Sequence, residues 1–412
     1  MQRLRAGAIA AASIAAVLAL GACGSDDEGS STSAGGGSAT TAEEGPIVIG
    51  AAVDNSDFMS SIDQPPLAAA KIAAEQINAD GGVGGRDIVF KEINTQLDPE
   101  KTRAAATQLI EDGADVLWVT CDVDLSTPSI QVGLEADKLV VAPCIGTDQM
   151  GPKRFGEQGK LAYSFGNVAQ DEGVAMAQTA IDKGWKTANV ITDKFLVYTQ
   201  NVCQAFTQKF EELGGTVAAQ ESFTGGDNTI NGVVNKVNGS DADVEVICTT
   251  AGADLPAFVT GLRGLGNDTP ILGPWAIDGT YWLPKNKAAA DNIHLVTFAS
   301  IYGDDPDPKV QKLIDDMKAA GADVSTGGFI TGPAAVEAIA KAIEENDGST
   351  EGEALATTIE GFSPLETSMG PISFSPEFHT VFGREYRVIE IEQGKPKLSG
   401  TVTADAPVEL AG

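Results

Sequence analysis

Histidine is almost missing from these 412 residues: His294 and His379 are the only two, and they stand far apart in the chain. A zinc site would therefore need carboxylates whose proximity no spacing suggests, and neither H-E-x-x-H nor C-x-x-C occurs. The phosphate loop G-x-x-x-x-G-K-[ST] is absent. The glycines of "GGVGGR" (Gly81–Arg86) do not fit G-x-G-x-x-G, and they precede a strand-like run where a dinucleotide site would follow one. There is no G-x-S-x-G elbow to carry a nucleophilic serine. Acid pairs are plentiful, but in so acidic a chain they read as solvated surface before they read as a glycosidase pair. Positive charge is scarce: 27 basic residues against 58 acidic give a formal charge of −31. That balance argues against nucleic acid or an anionic lipid surface as partner. No motif calls for a cofactor or a metal.

Long apolar runs are also missing, except at the start. Arg3 and Arg5 precede Ala6–Leu20, which is almost wholly Ala, Ile, Val and Leu. A basic region, a short apolar core and small residues at a cleavage position describe an export signal. The run is too short for a comfortable membrane span, which needs about 20 apolar residues. Gly21-Ala22 leads into Cys23, and Gly24–Gly45 is Gly, Ser, Thr, Ala and acids. That composition cannot bury enough apolar surface to offset its ordering entropy, so it reads as a flexible tether. The boundaries expected are a signal over 1–22 and a tether headed by Cys23 over 23–45. An ordinary secretory signal with an incidental cysteine is the alternative.

About 370 residues follow, enough for two domains. Four cysteines remain, Cys121, Cys144, Cys203 and Cys248, an even number suited to an oxidising compartment. Three pairings are open. Cys121 follows "ADVLWVT" and Cys144 follows "KLVVAP". If those runs are adjacent parallel strands, about 4.8 Å apart, the two cysteines lie within disulfide reach. The same logic pairs Cys203 with Cys248. Four free buried thiols are the alternative.

The body alternates strand-like and helix-like segments. "PIVIGAAV" (Pro46–Val53) reads as a buried strand, and Pro65–Ala79 puts Leu67, Ala70, Ala74 and Ile77 on one helical face. "DIVFKEIN" is a second strand. Asp98-Pro99-Glu100 starts a helix, with a capping acid and a proline at the first helical position. "DVLWVT", a helix near Ser126–Ala136 and "LVVAP" continue the series. After Asp171 the rhythm restarts: a helix to Lys183, "KTANVITD", a helix near Asn201–Leu213, a strand near Thr216–Ser222, a helix near Asn228–Val237, "VEVIC", a helix near Leu255–Leu265 and "PILGP". "PLETSMGPISFSPEF" breaks the helical pattern, and "EYRVIEIEQGKPKL" reads as a terminal hairpin. Two such series predict an α/β protein of two parallel-sheet lobes.

"IVIGAAV", "EQINADGGVGGRDIVF", "LDPEKTRAAATQLIEDGADVLWV" and "LVVAP" resemble, in order and spacing, the extracytoplasmic solute-binding proteins of the branched-chain amino-acid type that serve ABC importers. Weaker similarity continues through "KTANVITDKFLVY", "ILGPWAIDGTYW" and "ETSMGPISF" (Glu366–Phe374). The residues around Cys23 resemble the bacterial lipobox, which implies a diacylglycerol on its sulfur and a body anchored outside the cytoplasmic membrane. The resemblance implies two Rossmann-like lobes joined by a three-stranded hinge, the periplasmic binding protein type I fold. The expected division is 46–167 plus 298–375 for lobe 1 and 168–297 plus 376–412 for lobe 2. It implies a non-enzymatic receptor, expected to be a monomer, that hands a small solute to an ABC permease. A sensor for a membrane signalling protein and, further off, a hydrolase are the alternatives.

In that family the solute's main polar group is held beyond the strands matching "DVLWVT" and "LVVAP". Here those loops contain Asp122, Val123, Asp124 and Ser126, then Cys144, Gly146 and Thr147. Aspartates stand where amino-acid binders carry hydroxyls, and a desolvated acid facing a ligand carboxylate would be unfavourable. Trp275 stands where the family often places an acid for an ammonium group. Tyr198 matches the family's aromatic wall. Together these predict a solute that is neutral or cationic, with a planar or apolar face. Asp54 also lies beyond a strand end. The plainer readings are Trp275 as lobe core and Asp122 and Asp54 as loop acids.

Overall fold

The computed structural model describes residues 45–252 and 254–410, so the signal, Cys23 and nearly all of the tether lie outside the described residues. In lobe 1 the order is β1 (Ile47–Val53), α1 (Ser60–Ala79), β2 (Ile88–Asn94), α2 (Pro99–Glu111), β3 (Val116–Val119), α3 (Val123–Glu135), β4 (Leu139–Ala142), α4 (Pro152–Phe155) and β5 (Ala162–Asn167). Lobe 2 continues with α5 (Ala169–Asp182), β6 (Thr187–Asp193), α6 (Val197–Glu212), β7 (Thr216–Phe223), α7 (Ile230–Val237), β8 (Val244–Cys248), α8 (Asp254–Gly264), β9 (Ile271–Gly273) and β10 (Ile293–Thr297). The chain then runs through α9 (Pro308–Ala319), α10 (Thr331–Glu345), α11 (Gly352–Glu360), β11 (Leu365–Thr367), β12 (Gly370–Ile372), β13 (Thr380–Val381), β14 (Glu385–Glu392) and β15 (Lys395–Thr403). No helix among the described residues is long and apolar enough to cross a membrane.

The two main sheets have orders β13-β5-β4-β3-β1-β2 and β15-β14-β10-β9-β8-β6-β7. Each is parallel apart from the antiparallel β14 and β15, the hairpin expected at "EYRVIEIEQGKPKL". Both sheets reverse their winding beside β1 or β6, which opens a crevice at the strands' carboxyl ends, where such folds take ligands. β1, β3 and β4 are buried along their whole length, and their apolar runs fill the core of lobe 1 with Trp118 and the inner faces of α1 and α10.

Three crossings join the lobes: at Val168, after Thr297, and after Val381. The last lies beyond the expected boundary at residue 375, because β13 joins the sheet of lobe 1 beside β5 before the chain leaves for β14.

Helix starts differ from expectation in an informative way. Asp98 caps α2 as expected, accepting the Lys101 N–H at 2.9 Å. But α1 begins five residues before Pro65, at Ser60, with both prolines inside it. Pro65 cannot donate to the Ser61 carbonyl, and Ser325 Oγ donates to that oxygen instead, at 2.9 Å. The freed acceptor is thus satisfied from another segment, which lets the helix run through. α1 meets α10 closely: a Cβ at Gly332 would fall 1.9 Å from the Pro66 carbonyl oxygen.

Candidate functional site

The helix expected near Ser126 starts instead at Val123, which changes the meaning of the preceding acids. Asp122 is the N-cap of α3: its Oδ1 accepts the N–H groups of Asp124 at 2.9 Å and Leu125 at 3.0 Å. The stretch expected as a loop is a helix terminus. Val123 is consequently buried in the core of lobe 1, and Ser126 turns its hydroxyl back to the Asp122 carbonyl at 2.5 Å. Neither reaches the space between the lobes.

That space is a cleft lined by Met59, Ile62, Cys121, Asp122, Cys144 and Gly146 from lobe 1, facing Leu196, Tyr198, Thr250, Trp275 and Ala276 from lobe 2. Five of the ten residues expected to hold solute therefore meet there: Asp122, Cys144, Gly146, Tyr198 and Trp275. The free cavity is about 20 Å³, room for about one water. A solute of amino-acid size enters only when the lobes part or the wall side chains move. A larger hollow of about 570 Å³ follows α6 and β7, but it is lined by Gln200, Gln204, Gln208 and Glu211 and shares no residue with the cleft.

The floor on the lobe 1 side is stapled. Cys121 and Cys144 form a disulfide with Cα atoms 4.8 Å apart, tying the ends of β3 and β4 together. Cys203–Cys248 is the second bridge, with Cα atoms 5.7 Å apart. Its pairing is as expected, but Cys203 lies on α6 and not at a strand end, so the bridge ties helix to sheet. Asp63 of α1 adds a further tie, accepting the N–H of Cys121 at 2.8 Å and that of Asp54 at 3.0 Å. Asp54 is fully buried and accepts the N–H groups of Ser56 and Asp57 in a local turn, so it shapes the rim without lining the cavity.

One carboxylate, Asp122, lines the cleft, and others are buried behind its walls. Burial pushes the Asp122 carboxyl up to about 7, opposed by its helix-capping bonds and the charge of Arg154. Burial likewise lifts Asp63 to about 7. Behind the lobe 2 wall lies Glu172, a residue that sequence reasoning passed over. It is fully buried, and its two oxygens accept the Trp275 backbone N–H at 2.6 Å and the Tyr198 hydroxyl at 2.8 Å. Burial pushes Glu172 up to about 8. It fixes the two aromatic walls relative to each other, with ring centroids 6.5 Å apart at 60°. The only trace of it in the sequence is "QDEG", three polar residues in the first turn of α5, ahead of the apolar "VAMA".

Asp124 and Thr147 lie outside the cavity. Asp124 accepts the Val197 N–H and Arg154, and Thr147 Oγ1 donates to Asn201 Oδ1 at 2.9 Å. Trp275 is buried against Phe298 (centroids 5.0 Å) and Gly328 while one side meets the cleft, so it is lobe core and cleft wall at once. The two histidines are interior: His379 stacks on Tyr163 at 4.3 Å, and burial lowers His294 to about 3.

Comparison with known proteins agrees with this geometry. The periplasmic binding protein family model matches residues 46–396. A Leu/Ile/Val-binding protein homolog of Brucella melitensis is 24% identical over 332 residues, spanning 80% of this chain and 87% of its own. The leucine-, isoleucine-, valine-, threonine- and alanine-binding protein of Pseudomonas aeruginosa is 23% identical, with coverage of 74% and 80%. Among solved structures, a Streptococcus pneumoniae branched-chain amino-acid transporter substrate-binding protein in complex with isoleucine superposes with a TM-score of 0.74 at 17% identity, covering 87% of this chain and 99% of that one. A solute-binding protein from R. palustris in complex with 4-hydroxybenzoate superposes with a TM-score of 0.75 at 17% identity, covering 88% and 98%. With two doubly wound lobes, three crossings and a cleft at the strands' carboxyl ends, the chain belongs to the periplasmic binding protein family, in company with these leucine-, isoleucine- and valine-binding members.

Proposed function

We propose that this protein is a lipid-anchored receptor that captures a small organic solute between its lobes and delivers it to an ABC permease. The solute is neutral or cationic with a planar or apolar face, in contrast to the amino acids named for its relatives. The observation that carries this reading is the pairing across the cleft of Asp122 with Tyr198 and Trp275. A cap carboxylate already bonded to two N–H groups through Oδ1 offers negative charge where an amino-acid carboxylate would need donors. Trp275 offers a ring where an ammonium would need an acid, and aromatic faces attract cations by about 0.5–2 kcal/mol, more when desolvated.

The anchor rests on Cys23, between the apolar run and the tether. Two or more acyl chains hold a protein on a bilayer where one does not. Replacing Cys23 with Ser should move the protein from the membrane fraction to the soluble one. A variant that stays membrane-bound and is processed normally removes the anchor from the account. The solute is tested by denaturing protein purified from its native source and taking a mass spectrum of what is released. A neutral or cationic molecule with a planar or apolar face is expected, whereas leucine, isoleucine or valine as the main species would overturn the assignment.

A further inference from the structure

The N-terminal end of α6 carries no cap of its own: Leu196 stands at the cap position and its side chain accepts nothing. The first N–H of the helix, that of Val197, is instead taken by Asp124 of lobe 1, 73 residues away in sequence, at 2.9 Å. The other Asp124 oxygen accepts Arg154 Nη1 at 2.7 Å. One carboxylate is therefore pinned to lobe 1 by a cation and to lobe 2 by a helix end, where an anion is favoured by the orphan N–H groups and the helix dipole.

Three further contacts converge on the same two turns. The Val197 side chain packs against the core of lobe 1. Thr147 of lobe 1 donates to Asn201 at 2.9 Å. Gly146 lies so close under the Tyr198 ring that a Cβ would fall 2.7 Å from two of its carbons. At the rim, Phe58 of lobe 1 and Phe195 of lobe 2 meet edge to face with centroids 6.4 Å apart, although each is 47% exposed.

We infer that lobe 1 clasps the first two turns of α6, with Asp124 as the N-cap supplied across the lobes, and that this clasp holds the closed form. Asp124 is then a positioning residue for closure and makes no contact with solute. Leu196 and Tyr198, which line the cleft, flank Val197 in sequence. A solute touching them and the clasp act on one turn of one helix, so binding and closure favour the same state.

The test needs no solute, so an error in the solute assignment cannot decide it. Small-angle X-ray scattering of solute-free protein is fitted as a mixture of this closed shape and one opened at the three crossings. Wild type should be mostly closed. Asp124→Ala should raise the open-to-closed ratio about tenfold, in keeping with loss of a hydrogen bond to a charged group. Gly146→Ala should raise it at least as much, because the added methyl wedges against Tyr198. Val197→Pro removes the same N–H at the first helical position, where proline fits, and Leu196 before it is already extended (φ −115°, ψ 145°). Combined with Asp124→Ala it should open the protein no further than the stronger single change. A wild type already open without solute would overturn the clasp. So would an unchanged ratio in Asp124→Ala, or additive effects in the double variant.

Discussion

Asp122 is the residue on which the proposed solute preference turns. Its type and number are visible in the sequence, but its role as the cap of α3 is not, because the sequence pattern places the helix start three residues later, near Ser126. The cap fixes the carboxylate at the cleft wall, and burial makes its ionisation expensive, lifting it from the usual carboxylate range to about 7. A cation entering the cleft favours the ionised form and so must displace a proton at lower pH. Binding of a cationic probe such as phenethylamine should therefore strengthen about tenfold from pH 6 to pH 8, with protons released on binding. Calorimetry in buffers across that range would show it, and Asp122→Asn should remove most of the dependence. A carboxylate ligand would give the opposite slope, weakening as pH rises.

At the scale of elements, the strands were the legible part. "IVIGAAV", "DVLWVT", "LVVAP" and "VEVIC" are mostly apolar because they are covered on both faces, the buried Glu245 of the last being held by Asn189, and their order predicts the two parallel sheets. Helix starts were harder. α1 continues through two prolines because Ser325, from a distant segment, meets the carbonyl that Pro65 leaves unpaired. α6 starts four residues early because its cap comes from the other lobe. β13 is two residues long and owes its place to β5, so no local pattern announces it. Glu172 acts through Tyr198 and Trp275, which are 26 and 103 residues away in sequence, and spacing says nothing of such contacts. The disulfides came from strand order in one case and from the right pair for an incomplete reason in the other. Cys203–Cys248 closes a loop of 45 residues between α6 and β8. Replacing both with Ala should cost about 2–4 kcal/mol in denaturant unfolding. No loss, together with alkylation of both thiols in untreated wild-type protein, would show that the bridge does not form.

The whole molecule is an acidic body whose cleft has the Asp122 carboxylate on one wall and the rings of Tyr198 and Trp275 on the other. A ligand that binds only the folded state stabilises it by about 2.7 kcal/mol at a hundredfold excess over its dissociation constant, which makes thermal unfolding a direct readout of recognition. The measurement that bears most directly on the central claim is a thermal-shift comparison of leucine, isoleucine and valine with cationic and neutral aromatic solutes, on wild type and on Asp122→Ala and Trp275→Ala. Small shifts are expected with the three amino acids, larger ones with solutes such as phenethylamine, and loss of those larger shifts in both variants. Strong stabilisation by leucine, undiminished in Asp122→Ala and Trp275→Ala, would contradict it.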